Sequence, residues 1–120
     1  MGGGAGACCR YGLTQYVAAR RQGGFPFATF SINVSGCFVL GLLAAILTSV
    51  HDAGRREALQ AVFATGFLGG YTTFSTYALD TVLAARNKAF MVAALYWLGS
   101  VVLGLLAAGA GGGLARVFRL

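Results

Sequence analysis

The sequence predicts an all-α integral membrane protein with four transmembrane helices, the third of them broken. Hydrophobic residues make up 58% of its 120 residues and charged residues only 10%. Soluble proteins average about a quarter charged residues, so lipid is the expected solvent for most of this surface. Long apolar runs such as VLGLLAAIL favour helices over the alternating strands of a membrane barrel.

One transmembrane domain, residues 1–120, accounts for the whole chain, because the loops are too short to hold a second domain. The expected spans cover about residues 2–19, 27–50, 58–85 and 89–115. A membrane-spanning helix needs roughly 20 apolar residues, and the second and fourth spans meet this length without any charge. The first span carries Arg10 and the third carries Asp80.

The third span contains the stretch GFLGGYTTFST, residues 66–76, in which glycines precede hydroxyl and aromatic residues. Glycine and β-branched threonine are poor helix formers, so we expect the helix to break near residues 69–73. Irregular backbone at membrane depth is tolerated only where it is buried or lines a polar cavity. The break is therefore the expected functional element, and tight packing by small residues is the alternative.

Several functional classes are disfavoured by the residues themselves. The net charge of +6 comes from basic residues that stand singly or in pairs, without interleaved aromatics, which argues against nucleic-acid binding. The spans contain no nucleophile–base set, metal-ligand cluster or paired carboxylates, so we expect no enzyme.

Two membrane alternatives remain. A small multidrug-type transporter with four helices needs a membrane-embedded carboxylate for substrate and proton, and the only acid within the predicted spans is Asp80. A non-transporting membrane protein, such as an assembly factor or lysis protein, would not need the broken helix.

Three stretches resemble the CrcB/Fluc family of fluoride channels. The first is the start of the chain, with Gly3, Gly4, Gly6, Ala7, Arg10 and Tyr11. The second is TFSINVSGCFVLG, residues 29–41, and the third is GFLGGYTTFSTY, residues 66–77. The resemblance covers nearly the whole chain in length, number of spans and order of motifs.

This resemblance implies a dual-topology antiparallel homodimer in the cell inner membrane, with lipid around it and two pores for passive, selective export of fluoride. It also implies a sodium ion as cofactor, bound at the centre of the dimer by the backbone carbonyls of Gly69 and Thr72. Carbonyl oxygens of a broken helix suit such a hard cation.

The resemblance also assigns pore residues, namely Asn33, Phe74, Tyr77, Tyr96 and Ser100. Tyr77 departs from a family phenylalanine, and the next step of the polar track on the fourth span falls on Gly104. Hydroxyl donors and electropositive ring edges suit an anion, which adds Thr73, Ser75 and Thr76 to the predicted pore.

Each of these assignments has a structural alternative. Asn33 would bond across helices, Ser100 would bond back to its own helix, and Phe74 would face lipid or the core. Arg10 is costly inside a membrane, so we expect it in an aqueous vestibule, where it attracts anions, or snorkelling to the surface.

Apart from Arg10 within the first span, the basic residues are divided equally between the two expected faces of the membrane. One face carries Arg20, Arg21, Arg86 and Lys88, and the other carries Arg55, Arg56, Arg116 and Arg119. Because the bias of Lys and Arg in short loops sets orientation, the balance favours insertion both ways and hence an antiparallel homodimer. The alternative is a single, weakly specified orientation.

Dual insertion is testable by labelling a cysteine placed at His51 in intact cells, with the three native cysteines replaced. Label applied from outside should reach about half of the molecules, and the remainder should react only after the cells are opened. Labelling from one side alone would refute dual topology. Lysines added near His51 should bias insertion and reduce function.

Overall fold

The computed structural model describes residues 2–21 and 25–118. Arg119, counted in the charge balance, lies outside the described residues, as do residues 22–24 of the first loop. Within the described ranges the secondary structure is entirely helical and includes no strand.

The helices follow one another with short connections. They are α1 (Gly2–Arg20), α2 (Phe27–Leu47), α3 (Ala53–Leu59), a π-helical stretch (Gln60–Leu68), α4 (Gly69–Tyr71), α5 (Phe74–Arg86) and α6 (Phe90–Val117). We call the stretch from α3 to α5 the third segment. Among the described residues, two helices, α2 and α6, are long and apolar enough to cross a membrane, each with a mean hydropathy of 2.1.

Local hydrogen bonds explain where two of these elements begin and end. α2 ends at Leu47 rather than near residue 50, and the Thr48 hydroxyl donates to the Ala45 carbonyl at 2.6 Å. The third segment begins at Ala53, earlier than the expected residue 58, because Asp52 acts as an N-cap. Its carboxylate accepts a hydrogen bond from the Arg55 N–H at 2.7 Å.

The irregular backbone of the third segment is narrower than the predicted residues 69–73. Gly69 and Gly70 remain helical, with φ −62° and ψ −36° at Gly69, so the extended backbone occupies only the end of the predicted range. A methyl group on Gly70 would overlap the Gly3 carbonyl of α1, so this glycine allows two backbones to approach. Only Thr72 (ψ 161°) and Thr73 (φ −150°, ψ 120°) are extended, as suits β-branched residues.

α2 and α6 form the most extensive helix pair, and their backbones meet at glycines. A methyl group on Gly41 would overlap the Ala108 carbonyl oxygen, and one on Gly111 would overlap the Phe38 carbonyl oxygen. Small residues at such contacts let membrane helices gain packing energy where no hydrophobic effect is available. These two glycines therefore fix the distance between α2 and α6.

Large apolar side chains cover the outside of the described helices. Leu105 is 71% exposed and Met91 72% exposed, whereas the largest fully buried side chains are Ile32 and Tyr96. A water-soluble protein rarely exposes so large a contiguous apolar surface. The fold is therefore that of an α-helical membrane protein.

The glycine contact predicts a difference between two alanine substitutions on α6. Gly111→Ala should destabilise the protein by about 1–3 kcal/mol, because the methyl group has to displace the α2 backbone. Gly109→Ala is the matched control, since nothing lies within 4 Å of its added methyl group. Thermal unfolding in detergent measures both, and a Gly111→Ala protein as stable as Gly109→Ala would contradict the contact.

Candidate ion pathway

The extended residues Thr72 and Thr73 separate α4 from α5, and we call them the interruption of the third segment. Asn33 on α2 makes two hydrogen bonds to one of them, Thr73. Its Nδ2 donates to the Thr73 carbonyl at 2.9 Å, and the Thr73 N–H donates to Asn33 Oδ1, also at 2.9 Å. The side-chain amide thus pairs with extended backbone as a neighbouring peptide group would. Asn33 does bond across helices, and in doing so it satisfies backbone groups that the interruption would leave unpaired.

The two carbonyls predicted to hold sodium have both lost their helical donors. In a continuous α-helix the Gly69 carbonyl would accept from the Thr73 N–H, and the Thr72 carbonyl would accept from the Thr76 N–H. The first N–H donates to Asn33 instead, and the second donates to Thr73 Oγ1 at 3.3 Å. Carbonyl oxygens released from a helix are suitable ligands for a hard cation, so these residues fit the predicted site.

The predicted pore hydroxyls of Thr73, Ser75 and Thr76 form one cluster at the start of α5. Thr73 Oγ1 donates to Thr76 Oγ1 at 3.1 Å and lies 3.4 Å from Ser75 Oγ. Thr73 is also the N-cap of α5, and the N-terminus of a helix carries a partial positive charge that favours anions. The cluster therefore combines hydroxyl groups with a positive helix end.

A groove of about 370 Å³ opens beside the interruption, between α2 and the third segment. Its lining includes five of the predicted residues, Asn33, Gly69, Thr72, Thr73 and Phe74. The other lining residues are Gly36, Cys37, Leu40, Ala64 and Leu68. The predicted sodium ligands and part of the predicted pore thus share one surface.

The two predicted pore rings are in contact but differ in exposure. The centroids of Phe74 and Tyr77 are 5.7 Å apart, and Tyr77 meets Tyr96 edge-on at 5.2 Å. Phe74 is 78% exposed, whereas Tyr77 is 6% exposed. The Phe74 ring therefore projects from the chain, while the Tyr77 ring is enclosed between α5 and α6.

The hydroxyl group that distinguishes Tyr77 from phenylalanine has a partner on α6. It donates to the Trp97 carbonyl at 2.7 Å. A phenol has one proton to donate, so this hydroxyl has no further proton for an anion. In this structure it links α5 to α6.

Tyr96 on α6 contacts two polar residues on other helices, Thr29 on α2 and Asp80 on α5. Its ring is fully buried, and its hydroxyl makes a long hydrogen bond of 3.4 Å to Asp80 Oδ2. The buried Thr29 lies beside the same hydroxyl. The available sequence signal was the position of Asp80, the only acid in the spans, one helical turn after Tyr77.

Two other predicted residues stand apart from the groove. Ser100 Oγ is buried and has no hydrogen-bond partner in the part of the chain that the structure describes, so no bond back to its own helix is present there. Arg10 lies half-buried on α1, outside the lining of the groove. A further polar contact, between Ser35 Oγ and Tyr71 Oη at 2.9 Å, joins α2 to the third segment just before the interruption.

An all-helical membrane protein with a polar interruption that faces a groove belongs to the broad class of membrane transport proteins. Residues 1–112 match the family described as CrcB-like protein, Camphor Resistance (CrcB), and the chain belongs to that family. The resemblance stated from the sequence motifs is therefore confirmed.

The relatives of this chain are similar in length, somewhat longer than it, and have a consistent name. A protein of Paracoccus denitrificans named fluoride-specific ion channel FluC is 45% identical over 111 residues, which are 92% of this chain and 86% of the relative. Nitrobacter hamburgensis has a fluoride-specific ion channel FluC 2 that is 44% identical over 97% of this chain and 92% of its own. A Synechococcus FluC is 39% identical over 99% of this chain and 90% of its own.

The Tyr77–Trp97 contact predicts that Tyr77→Phe affects stability and leaves transport intact. Loss of one interhelical hydrogen bond in a membrane should cost about 0.6 kcal/mol. Thermal unfolding in detergent and ion flux in liposomes measure the two properties.

Tyr11→Phe is the control for that substitution, since Tyr11 is 68% exposed on α1. Unchanged stability combined with reduced flux in Tyr77→Phe would contradict the structure, because it would show that the hydroxyl donates to the ion.

Proposed function

We propose that the chain is a fluoride-selective channel that crosses the cell inner membrane four times and lets fluoride leave the cytoplasm passively. The observation that carries the proposal is the interruption at Thr72–Thr73, which places carbonyl groups, hydroxyl groups and a helix N-terminus beside a groove. Membership of the CrcB family and relatives named fluoride-specific channels support fluoride as the ion.

Fluoride needs donors that replace its hydration water without trapping it. The Asn33 amide has two N–H protons, and only one is used in the bond to Thr73, so the second is available to an anion in the groove. The hydroxyl cluster of Thr73, Ser75 and Thr76 lies at the positive end of α5. The buried Tyr96 and Ser100, whose Oγ has no hydrogen-bond partner among the described residues, extend the polar route along α6.

The working assembly that we propose is a dual-topology antiparallel homodimer. Phe74 is 78% exposed and lines an open groove, so a second copy packed on this face would enclose the ring. Antiparallel pairing would place each Phe74 against the groove of the partner, where the electropositive ring edge can face the anion. The equal division of basic residues between the two faces is compatible with this pairing.

The residues that would hold a sodium ion are Gly69 and Thr72, through their backbone carbonyls. One chain offers few such oxygens, so the same pair from a second copy would complete the coordination. A bound sodium ion would raise the electrostatic potential beside the anion route. Arg10 would act earlier, by attracting anions to the vestibule.

The multidrug-type transporter is the weaker alternative. Its mechanism requires a carboxylate that exchanges substrate for a proton, and the carboxylate of Asp80 accepts a hydrogen bond from the buried Tyr96. The family match favours the channel.

The channel is testable by efflux from sealed liposomes. Protein reconstituted in potassium fluoride liposomes should release fluoride once valinomycin balances the charge, and should release chloride far more slowly. Phe74→Ile should sharply reduce fluoride efflux, because it keeps apolar bulk and removes the electropositive ring edge.

Phe90→Ile is the matched control, since Phe90 is also a well-exposed phenylalanine, at the start of α6, 66% exposed. Chloride efflux as fast as fluoride efflux would refute the selectivity. Normal fluoride efflux in an assembled Phe74→Ile protein would show that the ring only packs.

A further inference from the structure

We propose that Asn33 is a positioning residue for the cation site: its Oδ1 takes the Thr73 N–H away from Gly69 and so keeps the Gly69 carbonyl available to sodium. This inference rests on the sodium site of the proposed function and adds the residue that makes that site possible. It assigns Asn33 a role beyond that of a donor to fluoride.

The Asn33 side chain and the Gly69 carbonyl are alternative acceptors for one N–H group, that of Thr73. Immediately before the interruption the hydrogen bond is that of an α-helix, because the Thr72 N–H donates to the Leu68 carbonyl at 2.9 Å, and Gly69 has helical dihedral angles. The next N–H along the chain, that of Thr73, would close on Gly69 if the helix continued. It donates instead to Asn33 at 2.9 Å.

Asparagine suits this role because its amide has an acceptor and donors at the spacing of a peptide group. The acceptor holds the Thr73 N–H, and one donor holds the Thr73 carbonyl, so two bonds keep the same residue extended. Gly36, one turn further along α2, gives the room required, since a methyl group there would overlap the Thr72 side chain.

The two halves of the Asn33 amide thus act on different ions. The Oδ1 half controls the carbonyl offered to the cation, whereas the Nδ2 half has the spare proton that can face an anion. Substitutions separate the two roles. Asn33→Asp keeps the acceptor and loses the amide donors, while Asn33→Leu has a similar shape and loses both.

The test measures the melting temperature of the purified protein in detergent as sodium chloride replaces N-methyl-D-glucamine chloride at constant ionic strength. A ligand that binds the folded state raises the melting temperature. Wild-type protein and Asn33→Asp should be stabilised by sodium, and Asn33→Leu should lose that response. Ser35→Ala is the control, because it removes another polar contact of α2 with the third segment and should keep the sodium response.

A normal sodium response in Asn33→Leu, or loss of the response in Asn33→Asp, would overturn the inference. Absence of a sodium response in the wild-type protein would also overturn the inference, because it would show that no cation site exists. The channel function would still be decided separately, by fluoride efflux from liposomes.

If Asn33→Leu does not fold, the wild-type protein provides the deciding measurement. Isotope-edited infrared spectroscopy of a labelled Gly69 carbonyl in sodium-free buffer should show the frequency of a carbonyl without a helical hydrogen bond. The frequency of an ordinary helical carbonyl would refute the role of Asn33.

Discussion

The backbone of Thr73 has to find its hydrogen-bond partners inside the chain, because Thr73 is buried. A continuous helix would supply them locally, but Thr72 and Thr73 are extended. The Asn33 side chain takes the place of the missing helical turn by accepting from the N–H and donating to the carbonyl of Thr73. Without this pairing the interruption would leave buried polar groups unsatisfied, and the other features of the site depend on the interruption.

Three features of the site follow from the extended backbone of Thr72 and Thr73. The Gly69 and Thr72 carbonyls lose their helical donors, because one N–H turns to Asn33 and another to the Thr73 hydroxyl. A new helix, α5, begins with its positive end beside the groove. Phe74, the residue that follows the interruption, is 78% exposed. The carbonyls proposed to bind a cation, the hydroxyl groups proposed to face an anion and an exposed aromatic ring therefore lie within a few residues of one another.

Hydropathy and motifs predicted the helical class and the place of the irregular backbone, because both depend on local composition. They did not predict the Asn33–Thr73 pairing, which joins residues 40 positions apart. Periodicity shows which face of a helix is apolar, and says nothing of which distant group a polar side chain meets. The same limit applies to the Tyr77 hydroxyl and to the contact between Tyr96 and Asp80. Propensity did not show that Gly69 and Gly70 stay helical within the predicted range, because it is a weak prior that packing overrides.

The position of α2 explains why a single asparagine can hold the interruption in place. On one side α2 packs against α6 through Gly41 and Gly111, where backbone meets backbone and neither helix has room to move closer. On the other side it presents Asn33 and Gly36 to the third segment. A hydrogen bond to a mobile partner would restrain the extended threonines only weakly, since both groups would move together. Because α2 is fixed by its contact with α6, the Asn33 amide acts as a fixed reference, and the threonine backbone has to adapt to it.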